Sequence, residues 1–97
     1  MWEKINKQSE ILFHNCLERK LTVTTAESCT GGMIASSIVS ISGSSAIFKS
    51  SVVTYSNDMK SKILNIPLKL INENGAVSKI IAYTMASNVL DLMNSDL

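Results

Sequence analysis

Two short runs rich in β-branched residues are set among segments of helical periodicity, and this alternation limits the fold more than any other feature. LTVTTA, Leu21 to Ala26, alternates as a strand does. AIFKSSVVTYS holds the second run, strongest from Phe48 to Tyr55. Around them, apolar residues recur at three- and four-residue offsets. Ile5, Leu12, Phe13, Cys16 and Leu17 place an amphipathic helix over Glu3 to Arg19. Ile34, Ile38 and Ile41 share one face of a helix over Thr30 to Ile41, which SGSS breaks. A short helix from Asp58 to Leu64 ends at Asn65-Ile66-Pro67, because the residue before proline avoids the helical region. Another fits Leu68 to Glu73, and Asn74-Gly75 is a turn. Ser78 is placed to cap a last helix reaching about Met93, with Ile81, Met85, Val89 and Leu92 facing inward.

Such an order argues for a layered α/β fold. Two strands are few for four or five helices. A two-stranded sheet is marginal in water, and sheets usually hold about four to six strands. The pattern therefore reads as a single partial domain over residues 1–97, reaching DLMNSDL where a further strand is expected. With that shortage, the chain is expected to expose apolar surface and an open strand edge, to associate or await a complementing chain, and to be inactive or weak as a catalyst alone.

Composition removes several classes of function. A net charge of +1, with no basic run longer than Arg19-Lys20, gives no electrostatic footprint for nucleic acid. No segment has the roughly 18 uninterrupted apolar residues of a membrane span. MWEKINKQSE carries both charge signs, unlike a signal peptide. Cys16 and Cys29 fall in different elements without metal-ligand spacing. The expectation is a soluble cytoplasmic protein with reduced thiols, no metal and no cofactor.

The chemistry gathers in TTAESCTGG, Thr24 to Gly32, between the first strand and the second helix. A strand-to-helix turn aims its first N–H groups outward, with the positive end of the helix dipole behind them. Ser28 there fits a nucleophile, with the N–H groups of Cys29, Thr30, Gly31 and Gly32 holding an oxyanion. Ser28 or Thr30 equally fits a helix cap, the glycines then permitting close packing. Cys29 is a rival nucleophile, but adjacent residues at such a turn point different ways, and an inert buried thiol is the simpler reading. A serine needs a base. His14, alone and mid-helix, reads as a surface or half-buried residue. Lys60, in TYSNDMK after the second strand, would meet Ser28 if the strands are parallel, since their carboxyl ends then face one crevice. It would have to act as the neutral amine; the plainer alternative is an exposed helix lysine. Tyr55 is either a proton relay or a core aromatic.

TAESCTGG, GSSAIFKSSVVTYSNDMK and GAVS, in that order, resemble the carboxy-terminal domain of the competence/damage-inducible CinA family. The resemblance implies a three-layer α/β/α sandwich, here incomplete. It implies nicotinamide-nucleotide amidohydrolase activity, in which the carboxamide of nicotinamide mononucleotide is hydrolysed to the acid and ammonia. It implies a serine nucleophile with a lysine and a tyrosine, matching Ser28, Lys60 and Tyr55, with Asn57 helping to hold the site. It also implies a longer domain, continuing with a strand and a TGIAGP-type loop. A non-catalytic interaction fragment and a phosphate- or nucleotide-binding module at the CTGG helix start are the other readings.

Overall fold

The computed structural model describes residues 1–97. Helix α1 (Trp2–Arg19) leads into strand β1 (Val23–Glu27), helix α2 (Met33–Val39) and a single 3-10 turn at Ser44–Ala46. Strand β2 (Phe48–Val53) follows, then α3 (Asn57–Leu64), α4 (Leu68–Asn74) and α5 (Lys79–Met93). The element order is the expected one, and the differences lie at the ends. α2 begins at Met33 rather than Thr30, because Gly31 and Gly32 take positive φ angles of 60° and 100° and cannot continue a helix. β2 ends at Val53 rather than Tyr55.

β1 and β2 are parallel, with Thr24 opposite Ser50 and Glu27 opposite Val53, after one irregular step between Val23 and Thr24. Because side chains alternate across a strand, the pair buries residues on both faces. On one face Val23, Ile38, Ile47 and Cys16 pack with Leu12 and Phe13 of α1. On the other, Leu64, Ile66, Ile71, Ile81, Met85 and Val89 pack under Ala26 and Val52. Helices α1 and α2 thus cover one side of the sheet, and α3, α4 and α5 the other: an incomplete α/β/α sandwich with five helices and two strands.

Local chemistry sets the helix ends. Ser56 and Ser78 accept hydrogen bonds from the N–H groups of Met59 and Ile81, capping α3 and α5. Lys20, Asn65 and Asn94 close α1, α3 and α5 in the left-handed conformation. One apolar assignment needs correction: Leu92 is exposed, whereas Ile81, Met85 and Val89 of α5 are buried in the core and Met93 packs against it. On α2, Ile38 is buried and Ile34 is 45% exposed. No helix is long and apolar enough to cross a membrane.

The sheet has one more contact. The Leu97 N–H donates to the Thr22 carbonyl at 2.9 Å, and the Thr24 N–H donates to the Leu97 carbonyl at 2.8 Å. This pair is one rung of a parallel ladder on the β1 edge away from β2.

Candidate active site

Parallel strands bring the loops after β1 and β2 to the same end of the sheet. Ser28 follows β1 and Lys60 lies in the first turns of α3, which begins soon after β2. Lys60 Nζ is 3.0 Å from Ser28 Oγ and donates to the backbone carbonyl of Tyr55 at 3.1 Å. The lysine is only 1% exposed, not the surface helix residue of the plainer reading. No carboxylate pairs with it; the chain's one ion pair joins Lys69 to Glu73 on the surface. Its hydrogen-bond partners are a hydroxyl and a backbone carbonyl.

Glu27 organises the turn. Its side chain is 2% exposed. Oε1 accepts from Thr30 Oγ1 (2.9 Å), the Gly32 N–H (3.1 Å) and the Ile34 N–H (3.0 Å), while Oε2 accepts from the Ala35 N–H (2.9 Å). Thr25 Oγ1 and Ser51 Oγ, themselves hydrogen-bonded at 2.7 Å, lie 3.4 Å from Oε2. Burial pushes the Glu27 carboxyl upward, but hydrogen bonds from Ala35, Ile34, Thr30 and Gly32 outweigh it and hold the group below the ordinary glutamate range. The carboxylate thereby satisfies the orphan donors of α2 from outside the helix. Neither Ser28 nor Thr30 caps it, and Gly32 occupies the cap position without a side-chain bond.

This network corrects the expected oxyanion set. The Gly32 N–H is spent on Glu27 and the Gly31 N–H donates to the Ser28 carbonyl. The N–H groups of Cys29 and Thr30 have no acceptor in the turn. The same occupancy removes the helix start as a phosphate cradle, since Glu27 already fills it. The glycines serve the backbone: a Cβ on Gly31 would meet nothing within 4 Å, so its positive φ, not packing, calls for glycine.

Of the remaining candidates, His14 lies exposed on α1 as expected, while Cys29 and Tyr55 are not placed as expected. Cys29 is exposed, not buried, and unpaired. Tyr55 is 76% exposed, so it is no core aromatic, and its contact with Lys60 runs through its carbonyl rather than its phenol. Asn57 is exposed at the start of α3, and its side chain makes no hydrogen bond. His14 is exposed on α1, its ring edge-on to Phe13. Glu27 is the residue that sequence reasoning missed. An acid directly before a glycine-rich helix start, flanked by strand hydroxyls at Thr25 and Ser51, was the available signal. No three His, Cys, Asp or Glu side chains gather to hold a metal ion.

An open groove of about 570 Å³ lies beside Ser28. The Ala26–Thr30 turn forms one wall, and Ala76–Lys79 with Ala82, Met85 and Ala86 of α5 the other. The GAVS motif therefore faces the ESCTGG turn across this groove. Lys79 is its one cationic lining residue.

The comparisons with known proteins agree on one family. Residues 5–97 match the model of the CinA C-terminal domain. A CinA-like protein of Prochlorococcus marinus subsp. pastoris is 49% identical over 88 residues, 91% of this chain and 20% of that protein. One of Endomicrobium trichonymphae is 55% identical over 80 residues, 82% of this chain and 19% of that protein. The chain thus spans about a fifth of the length of these relatives. Among solved structures, the competence/damage inducible protein CihA from Agrobacterium tumefaciens superposes with a TM-score of 0.92 at 36% identity, covering 95% of this chain and 56% of that one. A CinA superfamily protein from Escherichia coli gives 0.92 at 29% identity, covering 95% and 54%.

Proposed function

The chain belongs to the CinA C-terminal domain family, and on that footing we propose that it is an amidohydrolase module acting on the carboxamide of nicotinamide mononucleotide. The observation that carries this reading is the 3.0 Å contact between Ser28 Oγ and the buried Lys60 Nζ. In the neutral form, Nζ accepts the hydroxyl proton as Oγ attacks the amide carbon. The N–H groups of Cys29 and Thr30 receive the developing oxyanion. Lys60 returns the proton to the departing nitrogen, which leaves as ammonia and an acyl-serine. Water, deprotonated by the same amine, then releases the pyridine carboxylate and restores Ser28. The Tyr55 carbonyl holds Nζ beside Oγ, and Glu27 holds the turn that carries the nucleophile.

Each step uses only groups of this chain, and the groove beside Ser28 is the place for the nucleotide. An exposed, unpaired thiol at Cys29 fits a reducing compartment, so we assign the activity to the cytoplasm. The test is to incubate the purified protein with nicotinamide mononucleotide and follow ammonia and the deamidated product together. Equal release of both, absent from Ser28→Ala, is the expected result. Saturable nucleotide binding without ammonia would replace hydrolysis with a binding function.

A further inference from the structure

Resting on the roles assigned above to Ser28 and Lys60, we propose that Thr54 is a further positioning residue, whose hydroxyl aims the neutral Lys60 amine at the serine. Thr54 Oγ1 is the one buried side-chain oxygen or nitrogen without a hydrogen-bond partner. The residue is only 1% exposed, so a partner has to come from groups already packed around it. Leaving a buried hydroxyl unpaired carries the full desolvation cost of the group, and such exceptions call for an explanation.

Strand register puts this hydroxyl beside the reacting pair. Ala26 and Val52 are partners in the sheet, and both pack on the core of α3, α4 and α5. Two residues further along each strand stand Ser28 and Thr54, on the same face because side chains alternate. The pairing extends that far, since the Thr54 N–H donates to the Glu27 carbonyl at 2.9 Å. Adjacent strands lie about 4.8 Å apart, which makes Ser28 and Thr54 side-by-side neighbours. Lys60 Nζ reaches the same place, 3.0 Å from Ser28 Oγ and 3.1 Å from the carbonyl of Tyr55, the residue after Thr54. A neutral amine has one lone pair and two N–H groups. With the lone pair on the Ser28 hydroxyl, one N–H goes to the Tyr55 carbonyl and the other to Thr54 Oγ1. That bond is not made in this structure, and a change of rotamer at Thr54 is the movement it requires. As the serine proton passes to Nζ, Thr54 keeps its own proton and accepts a stronger, charge-assisted bond from the ammonium.

The test compares Thr54→Val, which keeps the shape and removes the hydroxyl, with Thr54→Ser, which keeps the hydroxyl. Two rates are followed: ammonia release from nicotinamide mononucleotide, and labelling of Ser28 by a fluorophosphonate, read by mass spectrometry. The second needs no amide substrate. Thr54→Val is expected to lower both rates about ten- to a hundredfold, the worth of one bond to a charged group, with KM within about twofold. Its melting temperature should hold or rise, because an unpaired buried hydroxyl is gone. Thr54→Ser is expected to stay within about threefold of the unaltered protein in both rates. Equal rates for Thr54→Val and the unaltered protein overturn the proposal. So does a Thr54→Val that loses rate only in step with lost stability, or a Thr54→Ser as slow as Thr54→Val. If the unaltered protein releases no ammonia while the labelling rates separate as stated, Thr54 keeps its role and the substrate assignment falls. No labelling of Ser28 in the unaltered protein overturns both.

Discussion

Glu27 and Ser28 are neighbours in sequence and serve opposite layers of the fold. The Glu27 carboxylate turns to the start of α2, while the Ser28 hydroxyl turns to Lys60 on α3. The last residue of β1 thus anchors the turn, and the next residue presents the hydroxyl to which we assign the nucleophilic role.

Replacing that oxygen tests the nucleophile. Ser28→Ala is expected to lower ammonia release from nicotinamide mononucleotide by more than about 10³-fold, since the attacking group is lost. Cys29→Ala should keep most of the activity and nearly all the stability, its thiol being exposed. A dead Cys29→Ala with an active Ser28→Ala would transfer the role to the thiol.

The base is tested by holding its charge constant. Lys60→Arg is expected to lose about 10² to 10⁴ in turnover, the usual worth of a positioned base, because a guanidinium does not shed its proton in the working pH range. Turnover within a few-fold of the original would leave Lys60 as a fixed cation only.

Glu27 carries a pH signature. Its folded-state pKa lies below the ordinary glutamate value, so its contribution to stability is complete above about pH 4.3 and declines as pH falls through the folded value. Glu27→Gln is expected to cost about 2 kcal/mol at pH 7, the scale of hydrogen bonds to a charged group. The difference should shrink toward pH 3. Urea unfolding of both proteins at the two pH values checks this, and a pH-independent gap would contradict it.

Gly32 makes a conformational prediction. At φ 100° any side chain is strained, and its Cβ would also touch Val53 Cγ2 at 3.7 Å. Gly32→Ala should destabilise by about 1 to 3 kcal/mol. It should also reduce turnover, because the Cys29 and Thr30 N–H groups move with the turn. Loss of stability with unchanged turnover per folded molecule would remove those N–H groups from the mechanism.

Under the proposed reading, the groove beside Ser28 offers a nucleotide's phosphate a single lining cation, Lys79. With Lys79 alone lining the groove, removing the phosphate should matter little: the riboside is expected to react within about threefold of the mononucleotide in kcat/KM. Steady-state assays of the two substrates decide it. A preference above a hundredfold would require phosphate contacts that this groove does not offer.

Side-chain patterns made much of this legible. Alternation in LTVTTA and three- and four-residue spacing elsewhere gave the order of elements, and ESCTGG and YSNDMK marked Ser28 and Lys60. What escaped was carried by backbone. Tyr55 meets Lys60 through a carbonyl that every residue possesses, so no side-chain identity announces it. Glu27 was harder to see: an acid before the glycine-rich turn was its one side-chain signal, while most of its donors are the N–H groups of Gly32, Ile34 and Ala35, which have no signature in sequence. Leu92 keeps the helical spacing of the buried stripe, but burial depends on what stands opposite, and there the stripe runs out.

The pairing of Glu27 with Val53 acts as a ruler for the chemistry. Ser28 and the approach to Lys60 both start from this last rung, so their separation is inherited from strand register. The part of the crossover between Val39 and Ile47, beyond the turn that Glu27 anchors, could gain or lose residues without altering that separation. One residue inserted within β1 would instead slide the serine along the sheet by about 3.3 Å, beyond reach of the amine. Length variation should therefore be tolerated in the far loop of the crossover and forbidden in the two strands beneath the site.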